Sequence, residues 1–138
     1  MTLTLQKEKV KVLYKEPGKK MIQKEIGTNL EDYQPEVHGY IESIPFPGMD
    51  DVDIIINEMG KLNGMERNVV IPEYGDVLMG PMVIIGVNEK ECIWKSIPEE
   101  RIGEIENYIE ENQIILTHQN EKGVPEREKE QEMEMEER

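Results

Sequence analysis

The sequence predicts an α+β fold: a mainly antiparallel, twisted sheet of five to six strands, a short helix, a C-terminal amphipathic helix, and an acidic tail that is disordered or frayed. Three observations predict it. Short apolar or alternating segments outnumber helical ones, and turns of a few residues join them, which favours antiparallel pairing. One segment near residue 100 carries apolar residues at helical spacing. Beyond about residue 118 the chain becomes polar and charged.

Residues 9–14, KVKVLY, alternate like a half-buried strand. Val10, Val12 and Tyr14 share one face; Lys9, Lys11 and Leu13 share the other. Glu16-Pro17-Gly18-Lys19 makes a turn, and Met21 to Ile26 returns as the second strand of a hairpin. Thr28 or Asn29 caps a helix over about residues 29–37, with Glu31 and Asp32 in its first turn. Pro35 keeps that helix short and Gly39 ends it. Tyr40 to Ile44 reads as a strand stopped by Pro45-Phe46-Pro47-Gly48. Asp51 to Asn57, with three consecutive isoleucines, predicts a central strand buried on both faces. After a glycine-bounded loop at 60–64 come a short apolar piece at 69–71 and a strand-like run at 76–87. Gly80-Pro81 interrupts that run as a bulge or bend, and Glu91 to Lys95 forms another strand. Ser96 and Glu99 fit a capping box for the last helix, with Pro98 in its first turn. Ile102, Ile105, Tyr108 and Ile109 fall on its inner face; Gln113 to Leu116 either continue it or add a short strand.

A chain of 138 residues favours one domain, over residues 1–116, followed by a charged tail at 117–138 with eight Glu and four Lys or Arg from residue 121 onward. Aromatics are 5% of the chain, so Ile, Val, Leu and Met must fill the core. A single cysteine, Cys92, excludes an internal disulfide, and Cys92 with His38 and His118 makes a poor metal set. No metal and no cofactor are expected. The start of the chain lacks the apolar stretch of a signal peptide, and no run approaches the roughly 20 apolar residues of a membrane span. A cytoplasmic protein with no membrane contact is expected.

The net charge of −14 argues against direct DNA binding. Its distribution is uneven. Residues 1–24 hold seven Lys and two Glu, a net of +5, whereas residues 98–111 hold six Glu and one Arg, a net of −5. A local anion site therefore remains compatible with an acidic whole.

No catalytic constellation is legible. Cys92 lies beside Trp94 without a histidine nearby in sequence, which favours a buried structural thiol over a nucleophile. His38, before Gly39, reads as a helix-end surface residue. Asp50, Asp51 and Asp53 cluster at a strand entrance, where charge guarding an edge outweighs acid catalysis or cation binding. The richer segment runs from Asn57 to Asn68. Its glycines free backbone N–H groups to approach an anion, Lys61 and Arg67 supply charge, and Asn57, Asn63 and Asn68 offer amides for a base or sugar. The spacing is not that of a Walker loop, and an ordinary hairpin loop is the simpler alternative. Lys15 and Lys19, with Lys20, flank the first turn and would complete a basic pocket if the hairpin folds over that loop in its own or a second subunit.

Three segments give the chain a likeness: Tyr14-Lys15-Glu16-Pro17-Gly18, Asn57 to Gly64 (NEMGKLNG), and Asp76-Val77-Leu78-Met79-Gly80. With Gly39 to Glu42 between the first two, their order and spacing resemble the domain of unknown function 3846 family over about residues 9–112. Pro35 departs from the usual apolar run of the family's first helix. The resemblance implies a setting in phages and mobile DNA, often beside antirestriction modules, and brings no catalytic residues. The expected function is a counter-defence protein without enzymatic activity, acting as a homo-oligomer in the host cytoplasm to sequester a small anionic, cyclic-nucleotide-type signal. The alternative is an acidic nucleic-acid mimic that inhibits a host defence nuclease, presenting Glu99, Glu100, Glu104, Glu106, Glu110 and Glu111 from the last helix.

Overall fold

The computed structural model describes residues 8–115. The tail predicted at 117–138, with His118, lies outside the described residues. In chain order the elements are β1 (Lys9–Lys15), β2 (Ile22–Gly27), α1 (Leu30–Val37), β3 (Ile41–Pro45), β4 (Val52–Asn57), β5 (Arg67–Ile71), β6 (Asp76–Met79), β7 (Met82–Asn88), β8 (Ile93–Lys95) and α2 (Glu99–Asn112). A single 3-10 turn, Pro72–Tyr74, sits between β5 and β6.

The main sheet has six antiparallel strands in the order β2-β1-β7-β4-β3, with β8 also paired to β7. β5 and β6 form a separate two-stranded sheet. The α+β prediction therefore holds, and the strand number of the main sheet is the upper one expected.

Alternation along β1 assigns its residues to two cores, as the sequence pattern requires. Val10, Val12 and Tyr14 join Ile55, Val83 and Ile85 under α1, whose Tyr33 and Val37 close that layer. Leu13 joins Ile54, Met82 and Ile84 on the opposite face, covered by Val69, Ile71 and Leu78 of the small sheet and by Ile105 and Ile109 of α2. The sheet is thus buried on both sides, and each fully buried Ile or Val contributes about 2 kcal/mol of hydrophobic stabilisation. β4 is an interior strand, as three isoleucines in a row predict, but the middle place belongs to β7.

Local chemistry sets the helix ends. Asn29 is the N-cap of α1, and its backbone N–H donates to the Asp32 carboxylate at 3.0 Å. The helix closes after eight residues at His38, which takes a left-handed conformation with φ 67°, while Gly39 N–H returns to the Gln34 carbonyl. At α2 the predicted capping box is replaced. Pro98 is the N-cap, and Ser96 instead accepts the Lys11 backbone N–H on Oγ at 2.9 Å. Ile97 N–H also donates to the Lys11 carbonyl, so the segment before the helix is spent on binding β1.

Two further expectations are corrected. Gly80-Pro81 is not a bulge inside one strand: it separates β6 from β7, which belong to different sheets. Gly80 has φ 85° and donates to the Glu66 carbonyl at 2.7 Å, and a Cβ there would strike Met65. Cys92 is exposed, not buried. Its N–H closes a turn onto the Asn88 carbonyl at 2.7 Å with φ 56°, which leaves it before β8 instead of inside a strand. At the far end, Gln113 leaves α2 and bridges Val69, while Ile114 N–H donates to the Asn68 carbonyl. The segment thus neither continues the helix nor forms a strand: its pairing is one isolated bridge, and Leu116 lies outside the described residues.

Candidate functional site

The sheet register gathers the two sequence elements singled out as a basic pocket. Lys15 faces Met82, Tyr14 faces Val83, and Ile55 faces Val83 from the other side. The first hairpin turn, the chain after Asn57, and Gly80-Pro81 therefore lie at one end of the sheet. A side-chain knot ties them. Asn68 is fully buried; its Nδ2 donates to the Lys15 carbonyl at 3.0 Å and to the Gly80 carbonyl at 2.8 Å. Its Oδ1 accepts Lys15 Nζ at 2.9 Å, and the same ammonium reaches the Glu16 carbonyl at 3.3 Å. Burial pushes the Lys15 pKa below its ordinary value.

The seven candidate residues divide into an inner and an outer set. Lys15, Asn57 and Asn68 are buried and engaged within the fold. Asn57 Nδ2 donates to the Val37 carbonyl at 2.9 Å and Oδ1 accepts the Met59 N–H, which anchors the end of α1 to the following loop. Lys19, Lys61, Asn63 and Arg67 are exposed. Of these, Lys19 pairs with Glu16 at 3.1 Å and Lys61 pairs with Asp76. Arg67, like Lys20, is an exposed cation without an ion pair among the described residues. The hydrogen bonds of Glu16 with Lys19 and Tyr14 hold its carboxyl below the usual range.

An open groove of about 240 Å³ lies beside this end, between β3, β4, β6 and the 58–62 loop. Ile44, Ile56, Leu62, Val77, Leu78 and Met79 form its apolar lining. Glu42, Glu58 and Asp76 set three carboxylates against the one ammonium of Lys61. That balance repels an anion. The groove carboxylates come from three separate elements. In sequence only the parity of Glu42 with Ile44 along β3 hinted that a charge would sit beside an apolar wall.

The aspartate cluster at the start of β4 is not a paired-carboxylate site. Asp51 accepts Arg101 Nε at 3.1 Å, which ties β4 to α2. Asp53 stands apart, its pKa raised by burial and then by the nearby Glu89. Among the described residues no three His, Cys, Asp or Glu side chains gather to hold a metal ion, and no helix is long and apolar enough to cross a membrane.

This architecture, a two-faced antiparallel sheet with polar residues knotted at one end, defines a small α+β domain whose glycine and asparagine segments serve its own turns. The family model described as domain of unknown function (DUF3846) matches residues 10–111, and the chain belongs to that family. No curated protein and no solved structure matches it.

Proposed function

We propose that this domain is a stoichiometric, non-catalytic counter-defence protein of a phage or mobile element that sequesters a small anionic, cyclic-nucleotide-type signal. The supporting observation is the convergence of the basic hairpin turn and the Asn/Arg segment at one end of the sheet, through the Asn68–Lys15 bonds. Arg67, next to Asn68 and without an ion pair among the described residues, is the cation most ready to meet a phosphate. Asn63 would add contacts from its turn, and Lys19 would do so on leaving Glu16. Lys61 would first have to leave Asp76. Lys15, Asn57 and Asn68 then act as positioning residues that hold the turns in place. Two copies of the chain would enclose the ligand.

Calorimetry with cyclic di- and trinucleotides and cyclic ADP-ribose isomers tests this. Binding that weakens by about tenfold or more in Arg67→Ala is expected, the scale of one lost charge-assisted hydrogen bond. An absence of heat with every ligand, at protein concentrations of tens of micromolar, rejects it. Ligand recovered intact after heat denaturation separates sequestration from hydrolysis.

A second reading draws on α2. Glu100, Glu106, Glu110 and Glu111 are exposed and without ion pairs among the described residues, whereas Glu99 and Glu104 are neutralised by Lys11 and Arg101. Such a face would oppose the basic groove of a defence nuclease. Its complexes would weaken steeply with salt, and a salt-insensitive complex counts against it.

A further inference from the structure

β3 is the last strand of the main sheet, and its outer edge is unpaired among the described residues. The register shows which groups that edge offers. Phe46 N–H donates to the Val52 carbonyl and Glu58 N–H to the Tyr40 carbonyl. With Glu42 opposite Ile56 and Ile44 opposite Ile54, the even-numbered residues of β3 therefore make its bonds to β4. The backbone groups of Ile41, Ser43 and Pro45 point outward. Pro45 has no N–H, and its carbonyl accepts the Tyr74 hydroxyl at 2.8 Å. Among the described residues four groups remain without a partner, the N–H and C=O of Ile41 and of Ser43. They are spaced two residues apart, as an added strand requires.

The same strand borders the acidic groove. Residues 42 and 44 turn their side chains into it, and there Glu42, Glu58 and Asp76 outnumber Lys61 three to one. Ile44 and Ile56 supply apolar wall between the charges. Sheet edges are ordinarily closed by charge, proline or a covering element. Here proline closes only the far end, and the charge is of one sign.

We infer that the Ile41–Ser43 edge takes an extended basic segment of a protein partner as an added strand, with its Lys or Arg side chains entering the groove at Glu42 and Glu58 and its apolar side chains against Ile44. Backbone bonds to Ile41 and Ser43 give the pairing, and the carboxylates select basic over acidic segments. This inference is independent of where an anionic signal binds.

The test uses the full chain, labelled for NMR, and two short capped peptides, one repeating Lys-Thr-Val-Thr and one repeating Glu-Thr-Val-Thr, so that the charged residue and Val follow one another on a single face of the added strand. The basic peptide should shift the Ile41 and Ser43 amides saturably and slow their hydrogen exchange, while the acidic peptide leaves them unchanged. Glu42→Gln with Glu58→Gln should weaken binding by roughly threefold to tenfold, the range of two partly exposed ion pairs. Ser43→Pro removes one outward donor at a position equivalent to Pro45 and should abolish the slowed exchange at Ile41, the remaining reporter, with the fold intact by circular dichroism. If that variant fails to fold, an N-methylated basic peptide lacking the pairing donors must fail to bind the unaltered chain. Equal binding of the acidic peptide, unmoved Ile41 and Ser43 amides, or binding by the N-methylated peptide overturns the inference. So does exchange protection of both amides before any peptide is added, because the edge would then be covered by this chain or a second copy.

Discussion

Replacing Asn68 with alanine removes three hydrogen bonds from a site with no exposure to water. Two are amide bonds to the carbonyls of Lys15 and Gly80, each worth about 1 kcal/mol net. The third receives a charged ammonium and is worth about 2 kcal/mol. Lys15 is then left with only the 3.3 Å contact to the Glu16 carbonyl. The sum is a loss of about 4 kcal/mol, a large part of the 5–15 kcal/mol typical of a domain. Urea unfolding followed by circular dichroism reads it directly. With an m-value near 2 kcal/mol/M, the midpoint should fall by about 2 M. Adding Lys15→Met should restore roughly 1–2 kcal/mol, because the buried ammonium without its partner is gone while the aliphatic volume stays. A loss below about 1 kcal/mol in Asn68→Ala, or simple additivity of the two substitutions, would refute the knot as the tie between hairpin and loop.

Gly86 lies where a Cβ would clash with the Ser96 carbonyl, held by the bonds of that segment to β1, so Gly86→Ala should cost about 2 kcal/mol or more in the same assay. Asp53 has a raised pKa, so its native form is penalised once pH rises above the unfolded value near 3.8; Asp53→Asn should raise the thermal midpoint at pH 7 and lose that advantage near pH 3. Tyr14 is pushed up to about 12 by burial and Glu16, and Tyr33 and Tyr108 are raised further by burial and neighbouring carboxylates. Their stabilisation is complete below pH 10 and is lost as pH climbs through their folded values, so ultraviolet titration of the native chain should show late-ionising tyrosines that unfolding brings back to about 10. Lys15 acts in the opposite sense: its lowered pKa means that stability from this group rises as pH approaches the unfolded 10.5, and Lys15→Met should remove that rise.

Much of the framework was legible because alternation, turn residues and caps are local. The two faces of β1, the Pro17-Gly18 turn, the short α1 and the inner face of α2 all follow from neighbours in sequence. Partnership between distant strands is not encoded that way. A period of two marks β6 and β7 equally as strands and says nothing about their joining different sheets, which Gly80 decides through its left-handed turn. Ser96 had the composition of a cap, yet β1 claimed its hydroxyl first. Lys15 carried a signal that charge obscured: it shares the face of Leu13, and that face is core. Asn68, beside Val69 and Val70, reads equally as a loop amide or a buried one, and only tertiary contact distinguishes them.

The central position of β7 also has a temporal meaning. β1 with β2, and β3 with β4, are neighbours in sequence and pair locally. The strand that joins these two hairpins begins only at Met82. Until it leaves the ribosome, Leu13, Val12, Ile54 and Ile55 have nothing between them, and two sticky half-sheets coexist. Chains ended before Met82 should collapse without cooperativity and aggregate. The rate of folding should depend on how quickly that late strand inserts, a search across long loops and not a zippering of adjacent segments.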